Sequence, residues 1–147
     1  INDTVIDADG LWALSELSSW NKPQDSRWIL TPHPGELQRL TGKNLSDDQS
    51  RLEAVRKFSH RHQLTVLSKG MPGIVGTPDG ACYLTNYDTR YFSRAGSGDV
   101  LAGKVSAFLT FDHQPASSCA MGLLRGQQKL NHFLNNHQGL PEPNDFI

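Results

Sequence analysis

The period of the hydrophobic pattern changes repeatedly along the chain. Short runs of β-branched and other apolar residues, bounded by polar turns, predict buried strands at residues 4–6, 28–30 and 64–67. Around these runs, apolar residues recur every three or four positions, which predicts amphipathic helices. The apolar helical positions are Leu11, Leu14 and Leu17, then Leu37 and Leu40, then Leu52, Val55 and Phe58. This alternation of strands and helices favours a parallel α/β sheet.

The second half of the chain carries a predicted hairpin and two further helices. Residues 74–77 and 81–85 flank Pro78-Asp79-Gly80, a sequence typical of a tight turn. A strand-like run then ends at Tyr91-Phe92 and leads into a glycine-rich loop. The first helix has apolar positions at Val100, Leu101, Val105, Phe108 and Leu109. The second is predicted to run through Ala120, Leu123, Leu124, Gln127, Leu130 and Leu134, with a polar side rich in glutamine and asparagine. We expect residues 141–147 to form a terminal loop.

The third predicted helix begins at a capping-box pattern, Ser46-Asp47-Asp48-Gln49. Basic residues fall around the rest of this helix, at Arg51, Arg56, Lys57 and Arg61. We expect them to form an ordinary solvated surface.

Composition indicates one globular domain, because 147 residues with 37% hydrophobic and 20% charged side chains can bury a core. A net charge of -1 argues against nucleic acid or an anionic membrane as the main partner. Cys82 and Cys119 lack metal-ligand spacing, so we expect two reduced thiols, which favours the cytoplasm. The sequence has no apolar run of membrane-spanning length and no signal peptide. Because it begins without a methionine, we expect it to be the later part of something longer.

The segment from Arg94 to Gly103 places a glycine-rich loop directly before a helix. Unpaired backbone N–H groups in the first helical turn, together with the helix dipole, favour an anion at that position. Gly96 and Gly98 lack Cβ atoms, so a phosphate can approach the main chain closely. Asp99 adds a carboxylate to this turn. Two roles are open for this carboxylate. It accepts a proton from a hydroxyl, or orients that hydroxyl, as phosphate chemistry begins. Alternatively, it only caps the helix.

Polar residues follow each predicted strand. Two interpretations are open for Asp7 and Asp9. Either they contact Mg²⁺ or a ribose, or they form a turn with a helix N-cap. His33 lies between two prolines that keep it out of the helix interior, and it either serves a site or is hydrogen-bonded inside a rigid turn. Lys69 can reach a phosphate as a point charge. Because the ends of parallel strands share one edge, we expect these four residues and Asp99 to line a single cleft.

Four motifs occur in the order Val5-Ile6-Asp7-Ala8-Asp9-Gly10-Leu11, Leu30-Thr31-Pro32-His33-Pro34-Gly35-Glu36, Leu67-Ser68-Lys69-Gly70 and Ala95-Gly96-Ser97-Gly98-Asp99-Val100-Leu101-Ala102-Gly103. They resemble the motifs of the ADP-dependent NAD(P)HX dehydratases, a branch of the ribokinase-like superfamily. The second motif separates this branch from sugar and vitamin kinases, whereas the glycine loop is shared across the superfamily. The resemblance implies a three-layer α/β/α fold with a mostly parallel sheet and an inserted hairpin.

The resemblance also implies a repair reaction, in which hydrated NADH or NADPH is dehydrated while ADP or ATP is consumed. His33 and Asp99 match the family's contacts to the hydrated nucleotide, and Asp99 matches its catalytic base. The matching adenine-nucleotide contacts are Lys69, Gly70, Met71, Pro72, Gly73, Gly96, Ser97 and Gly98. Mg²⁺ is expected on the phosphates, and Asp7, Asp9 and Glu36 are further candidates for the site.

The family's domain is about twice as long as this chain. The resemblance therefore implies that residues 1–147 are the C-terminal portion of one ribokinase-like domain that lacks its N-terminal portion. Such a sheet has an unpaired strand edge, so we expect a homo-oligomer or an association with the missing portion. Two other functions remain open: a kinase acting on a sugar or vitamin alcohol, and a non-catalytic nucleotide-binding fragment.

Overall fold

The fold is built on a five-stranded sheet, and the computed structural model describes residues 2–87, 96–111, 114–137, 139 and 141–146. The strands are β1 (Asp3–Ile6), β2 (Arg27–Leu30), β3 (Thr65–Ser68), β4 (Ile74–Gly76) and β5 (Cys82–Leu84). The helices are α1 (Asp9–Glu16), α2 (Pro34–Thr41), α3 (Asp48–His62), α4 (Ser97–Thr110) and α5 (Pro115–Asn136), followed by a 3₁₀ turn at Pro143–Phe146. The three early strands and the hairpin predicted from the sequence are confirmed.

The order of the strands in the sheet follows their order in the chain. β1, β2 and β3 are parallel, and β3, β4 and β5 are antiparallel to one another in turn. The crossover from β1 to β2 contains α1, and the crossover from β2 to β3 contains α2 and α3, as parallel pairing requires. The carboxyl ends of the three parallel strands therefore meet at one edge of the sheet.

Successive strand residues point to opposite faces of the sheet, so the chain builds two separate cores. On the face covered by α1, α2 and α3, the buried residues are Leu11, Leu30, Leu37, Val55, Phe58, Leu64, Val66 and Ile74. On the face covered by α4 and α5, they are Ile29, Leu67, Val75, Leu101, Val105, Leu109, Cys119 and Leu123. The three-layer α/β/α arrangement is thereby confirmed.

Helices α4 and α5 pack closely because a glycine lies at their contact. A Cβ atom on Gly122 would lie 2.8 Å from Val105 Cγ2, so a larger side chain does not fit there without a shift. The buried face of α5 consists of Ser118, Cys119, Gly122, Leu123, Gly126 and Leu130. The predicted face is partly wrong, since Ala120, Leu124 and Leu134 are exposed. Small side chains, rather than leucines alone, mark this contact.

Several local predictions are also wrong. The N-cap of α3 is Asp47, which accepts a hydrogen bond of 2.7 Å from Ser50 N, one residue later than the predicted capping box. Leu17 follows the end of α1 and is exposed. Residues 143–146 form a 3₁₀ turn instead of a loop.

The strand-like run ending at Tyr91-Phe92 lies outside the described residues, as do residues 94 and 95 of the glycine loop.

Both cysteines are free thiols, as the sequence predicts. Cys82 is half-buried and Cys119 is fully buried. Burial raises the pKa of the Cys119 thiol to about 12, so this group stays protonated and unreactive. Across the described residues, no helix combines the length and the apolar character needed to cross a membrane.

Candidate active site

The ends of the three parallel strands are joined by backbone hydrogen bonds. Thr31 N, directly after β2, donates to Ile6 O of β1 over 3.1 Å. Lys69 N, directly after β3, donates to Pro32 O over 2.8 Å. Thr31 and Pro32 are buried beneath these connections. The residues that follow β1, β2 and β3 are therefore fixed relative to one another.

An ion pair joins the ends of β1 and β3. Lys69 Nζ donates to Asp7 Oδ1 over 2.8 Å, and only 13% and 15% of the two side chains are exposed. The ammonium and the carboxylate satisfy each other in a largely desolvated position, where their attraction is stronger than at a free surface. The N-cap of α1 is Ala8 rather than either nearby aspartate. The capping alternative for Asp7 and Asp9 is therefore wrong.

The first turn of α4 lies against this ion pair. A Cβ atom on Gly98 would be 3.4 Å from Lys69 Nζ and 3.6 Å from Asp7 Oδ2. The absence of a side chain at this position thus exposes main chain beside a cation. Amide groups at a helix N-terminus next to an ammonium favour a bound anion. Of the five residues predicted to share one cleft, Asp7 and Lys69 are thus brought together, beside the first turn of α4.

Gly96, with φ of +83°, is the N-cap of α4. It has no side chain with which to cap the helix, and a Cβ atom there would lie 3.1 Å from Pro143 Cγ. Ser97 is buried, whereas Asp99 is the third helical residue and is exposed. Asp99 is therefore not the N-cap, and its carboxylate is open to solvent beside the first-turn amides.

His33 is the N-cap of α2. Its Nδ1 accepts hydrogen bonds from Gly35 N over 3.0 Å and from Glu36 N over 3.3 Å. Glu36 completes the capping box, because its Oε2 accepts from His33 N over 2.7 Å and its Oε1 lies 3.3 Å from His33 Nε2. The imidazole side chain is 56% exposed. His33 is therefore hydrogen-bonded inside a rigid turn, which is one of the two alternatives, and much of the ring remains accessible at the same edge of the sheet.

The loop after Lys69 is held by Arg51, which the sequence places on a solvated surface. That prediction is wrong, because Arg51 is only 5% exposed. Its guanidinium donates to Lys69 O over 3.1 Å and to Pro72 O over 2.7 Å. The helical period does contain the signal, since Arg51 has the i, i+4, i+7 spacing with Val55 and Phe58 of the buried face.

Two cavities lie at opposite edges of the sheet. The one beside the candidate site has a volume of about 220 Å³ and is lined in part by Pro34, Asp47, Arg51 and Gly70. The other, of about 370 Å³, contacts the first residues of β2 and β3 and is therefore at the amino ends of the strands. The larger cavity is thus remote from the Asp7–Lys69 pair.

The metal chemistry of the described residues is limited. Asp9 is the first residue of α1 and is exposed. In the described ranges, no group of three or more histidine, cysteine, aspartate or glutamate side chains is placed to hold a metal ion.

Comparisons with known proteins agree with these motifs. The family profile Carb_kinase, described as NAD(P)H-hydrate dehydratase, matches residues 1–142. The sequence is 36% identical over 122 residues to a bifunctional NAD(P)H-hydrate repair enzyme of Salinibacter ruber, a match that covers 81% of this chain and 22% of the relative. It is 38% identical over 108 residues to an ADP-dependent (S)-NAD(P)H-hydrate dehydratase of Neisseria meningitidis, covering 71% of this chain and 36% of that protein.

A solved structure extends the likeness to the fold. The ADP/ATP-dependent NAD(P)H-hydrate dehydratase of Bacillus subtilis, co-crystallized with ATP and Mg²⁺, superposes with a TM-score of 0.81 at 24% identity. The superposition covers 98% of this chain and 51% of that structure, so the chain spans about half the length of the solved relative and less of the two curated ones. The fold is the ribokinase-like one that the motifs predict. With a profile match over nearly its whole length, the chain belongs to the NAD(P)H-hydrate dehydratase family.

Proposed function

We propose that this protein dehydrates hydrated NADH or NADPH at the expense of ADP or ATP. The observation that carries the proposal is the meeting of Lys69, Asp7 and the main chain of Gly98 at one sheet edge, with the exposed carboxylate of Asp99 one residue further along. A cation, helix amides and a free carboxylate are the groups that phosphoryl transfer to a hydroxyl requires. The names of the relatives, which are NAD(P)H-hydrate dehydratases and repair enzymes, support this substrate class.

The nucleotide would bind between two loops. In this proposal, the phosphates of ADP lie against the first turn of α4, at Gly96, Ser97 and Gly98, where no side chain blocks their approach at the glycines. Lys69 faces the same phosphates from the end of β3, and the loop of Gly70, Met71, Pro72 and Gly73 completes the contact. Support comes from the closeness of Gly98 to the Lys69 ammonium.

A Mg²⁺ ion fits this arrangement through the nucleotide. Mg²⁺ is commonly held by one or two carboxylates together with substrate phosphates, and does not need a cage of protein ligands. Asp7 is the carboxylate placed beside the proposed phosphate position and would hold the ion. When bound, the ion would neutralise charge on the phosphates.

Asp99 would act as the general base. It accepts the proton of the hydroxyl on the hydrated nicotinamide ring, and the hydroxyl oxygen forms a bond to the terminal phosphorus as the bond to AMP breaks. The carbon–oxygen bond then breaks, inorganic phosphate leaves, and loss of a ring proton restores the double bond. The first-turn amides of α4 stabilise charge on the moving phosphoryl group.

His33 would contact the hydrated nucleotide from the end of β2. Its Nδ1 is engaged in capping α2, so the exposed part of the imidazole is what remains for a substrate. Glu36 would act by orienting the ring, because its Oε1 lies 3.3 Å from His33 Nε2.

The chain would work as the C-terminal portion of one ribokinase-like domain. In this proposal, the missing portion, or a second copy, adds to the edge strand β1. The reaction would take place in the cytoplasm, where the free thiols Cys82 and Cys119 stay reduced.

The test is a product analysis with the complete protein that carries this sequence. Hydrated NADH and ADP should yield NADH, AMP and inorganic phosphate. A stable phosphate ester of a sugar or vitamin alcohol, formed while hydrated NADH is left unchanged, would instead identify a kinase. ADP binding without any product would identify a nucleotide-binding fragment.

A further inference from the structure

Arg51 is a cation buried beneath the loop that follows β3. It projects from the first turn of α3, and 5% of the residue is exposed. Its Nη2 also contacts Asp48 Oδ1 over 3.1 Å, but that carboxylate side chain is 68% exposed. The guanidinium also holds the loop, because Nη1 donates to Lys69 O and Nη2 donates to Pro72 O.

The two carbonyl acceptors suit the geometry of an arginine side chain. A planar guanidinium donates from separate nitrogens in fixed directions, whereas the three donors of an ammonium share one nitrogen and rotate. Here two separate nitrogens of one guanidinium bridge the carbonyls of Lys69 and Pro72. Burying a charge destabilises the fold unless its hydrogen-bond donors have partners. Here the loop carbonyls are those partners.

The main chain of Gly70 packs directly against the Arg51 guanidinium. Its φ of +134° lies in a region that side chains rarely adopt. A Cβ atom there would lie 2.3 Å from Arg51 Nη1, well inside van der Waals contact. The glycine and the arginine are thus mutually required: the loop folds over the guanidinium only where no side chain intervenes.

We propose that Arg51 is a positioning residue for nucleotide binding. It fixes the backbone of residues 69–72 before ligand arrives, so that the Lys69 ammonium and the loop amides already face the phosphates of ADP. This inference rests on the proposed function for its ligand, but the fixing of the loop is independent of it. A loop that is already ordered does not lose conformational entropy when the nucleotide binds. Loss of Arg51 therefore weakens ADP affinity without removing any direct contact to ADP.

Three variants separate positioning from charge. Arg51→Met removes the fork and the charge, and Arg51→Lys removes the fork alone. Arg56→Met is the matched control, since Arg56 lies on the same helix, is half-exposed and pairs with Glu53. For each variant, ADP affinity is measured by calorimetry, and amide hydrogen exchange at Gly70, Met71 and Gly73 is measured without nucleotide.

We expect Arg51→Met and Arg51→Lys to weaken ADP binding by about tenfold or more, and both to speed exchange in the loop. Arg56→Met should change neither. If Arg51→Lys behaves like wild type, charge rather than positioning is responsible and the proposal is overturned. Unchanged affinity and exchange in both Arg51 variants would also overturn it.

Two further outcomes remain informative. Should Arg51→Met fail to fold, Gly70→Ala tests the same contact from the loop side and should reproduce the loss of affinity; wild-type affinity in that variant would contradict the proposal. If wild type binds no ADP while Arg51→Lys still speeds loop exchange, the proposed nucleotide function fails and the fixing of the loop stands.

Discussion

Asp7 Oδ1 and Lys69 Nζ lie 2.8 Å apart although the two residues are separated by 62 positions in the chain. Their strands, β1 and β3, are not neighbours, because β2 lies between them. The pair therefore reaches across the end of β2 and neutralises Lys69 in the absence of ligand. A phosphate arriving at α4 would compete with Asp7 for the same ammonium.

Asp7→Asn should destabilise the fold and strengthen ADP binding when Mg²⁺ is chelated. The change leaves a largely buried ammonium without its carboxylate, so we expect the free energy of unfolding to fall by about 2 kcal/mol. It also removes a negative charge beside the phosphates, which favours the free nucleotide. Denaturant unfolding and calorimetry with ADP measure the two effects.

Asp3→Asn is the control for this change, because Asp3 forms an ion pair of 2.6 Å with Arg27 at the other end of β1. It should leave ADP affinity unaltered. Equal or weaker ADP binding by Asp7→Asn would mean that the pair does not face the phosphates.

Gly98→Ala should block ADP without harming the fold. Its Cβ atom would lie at ordinary contact distance from Lys69 and Asp7, and alanine favours a helix over glycine by about 1 kcal/mol. We therefore expect unchanged or slightly higher stability and at least tenfold weaker ADP binding, since the methyl group fills the approach to the main chain.

Gly76→Ala provides the contrast, because its Cβ atom would lie 2.5 Å from Val55 Cγ1. Overpacking there should cost about 1–3 kcal/mol, with no specific effect on ADP. Wild-type affinity in Gly98→Ala would exclude close approach of a phosphate to this turn.

His33 variants should separate helix capping from substrate contact. His33→Ala removes the cap of α2 and should cost about 1 kcal/mol in unfolding free energy. His33→Asn retains a good capping side chain but lacks the imidazole, so stability should be close to wild type while the KM for hydrated NADH rises. Steady-state kinetics and thermal unfolding measure these effects. If His33→Asn turns over substrate with an unchanged KM, His33 is a cap and nothing more.

Cys119 should make the fold less stable in alkali. Burial raises the pKa of its thiol to about 12 in the folded chain. Above the ordinary thiol pKa of about 8.5 the unfolded chain releases a proton that the folded chain retains, so the free energy of unfolding falls by up to about 1.4 kcal/mol per pH unit until the folded thiol also titrates. Denaturant unfolding from about pH 8 to about pH 10 should give a shallower slope for Cys119→Ala than for wild type. Identical slopes would contradict a buried thiol.

The sequence predicts the convergence of Asp7 and Lys69 because it depends only on topology. Both residues directly follow short apolar strands, and the carboxyl ends of parallel strands share an edge. The ion pair itself is not predictable, since it depends on how far two side chains reach across the end of β2. The same holds for His33, whose flanking prolines predict a rigid turn but not the pairing of its ring with Glu36.

Arg51 and α5 mark where hydrophobic patterning fails. Arginine is usually expected to be exposed, so the sequence predicts a solvated Arg51. The helical spacing of Arg51 nevertheless puts it on the buried face. In α5, Leu124 and Leu134 are exposed while Gly122 is buried, because the close packing of α4 and α5 selects for small volume rather than hydrophobicity. The error in α5 arises from tertiary packing that local sequence does not encode, whereas the error at Arg51 arises from classing arginine as solvated by its residue type.

In the proposed reaction, Asp99 is the base of a nucleotide-dependent dehydration at the amino end of α4. The most direct measurement compares the complete protein with its Asp99→Asn variant, following recovery of NADH from its hydrate at saturating ADP, with Glu53→Gln as a control on an exposed helix face. We expect Asp99→Asn to lower turnover by about a hundredfold or more while ADP affinity stays within a small factor of wild type, and Glu53→Gln to change neither. Wild-type turnover by Asp99→Asn would contradict the assignment.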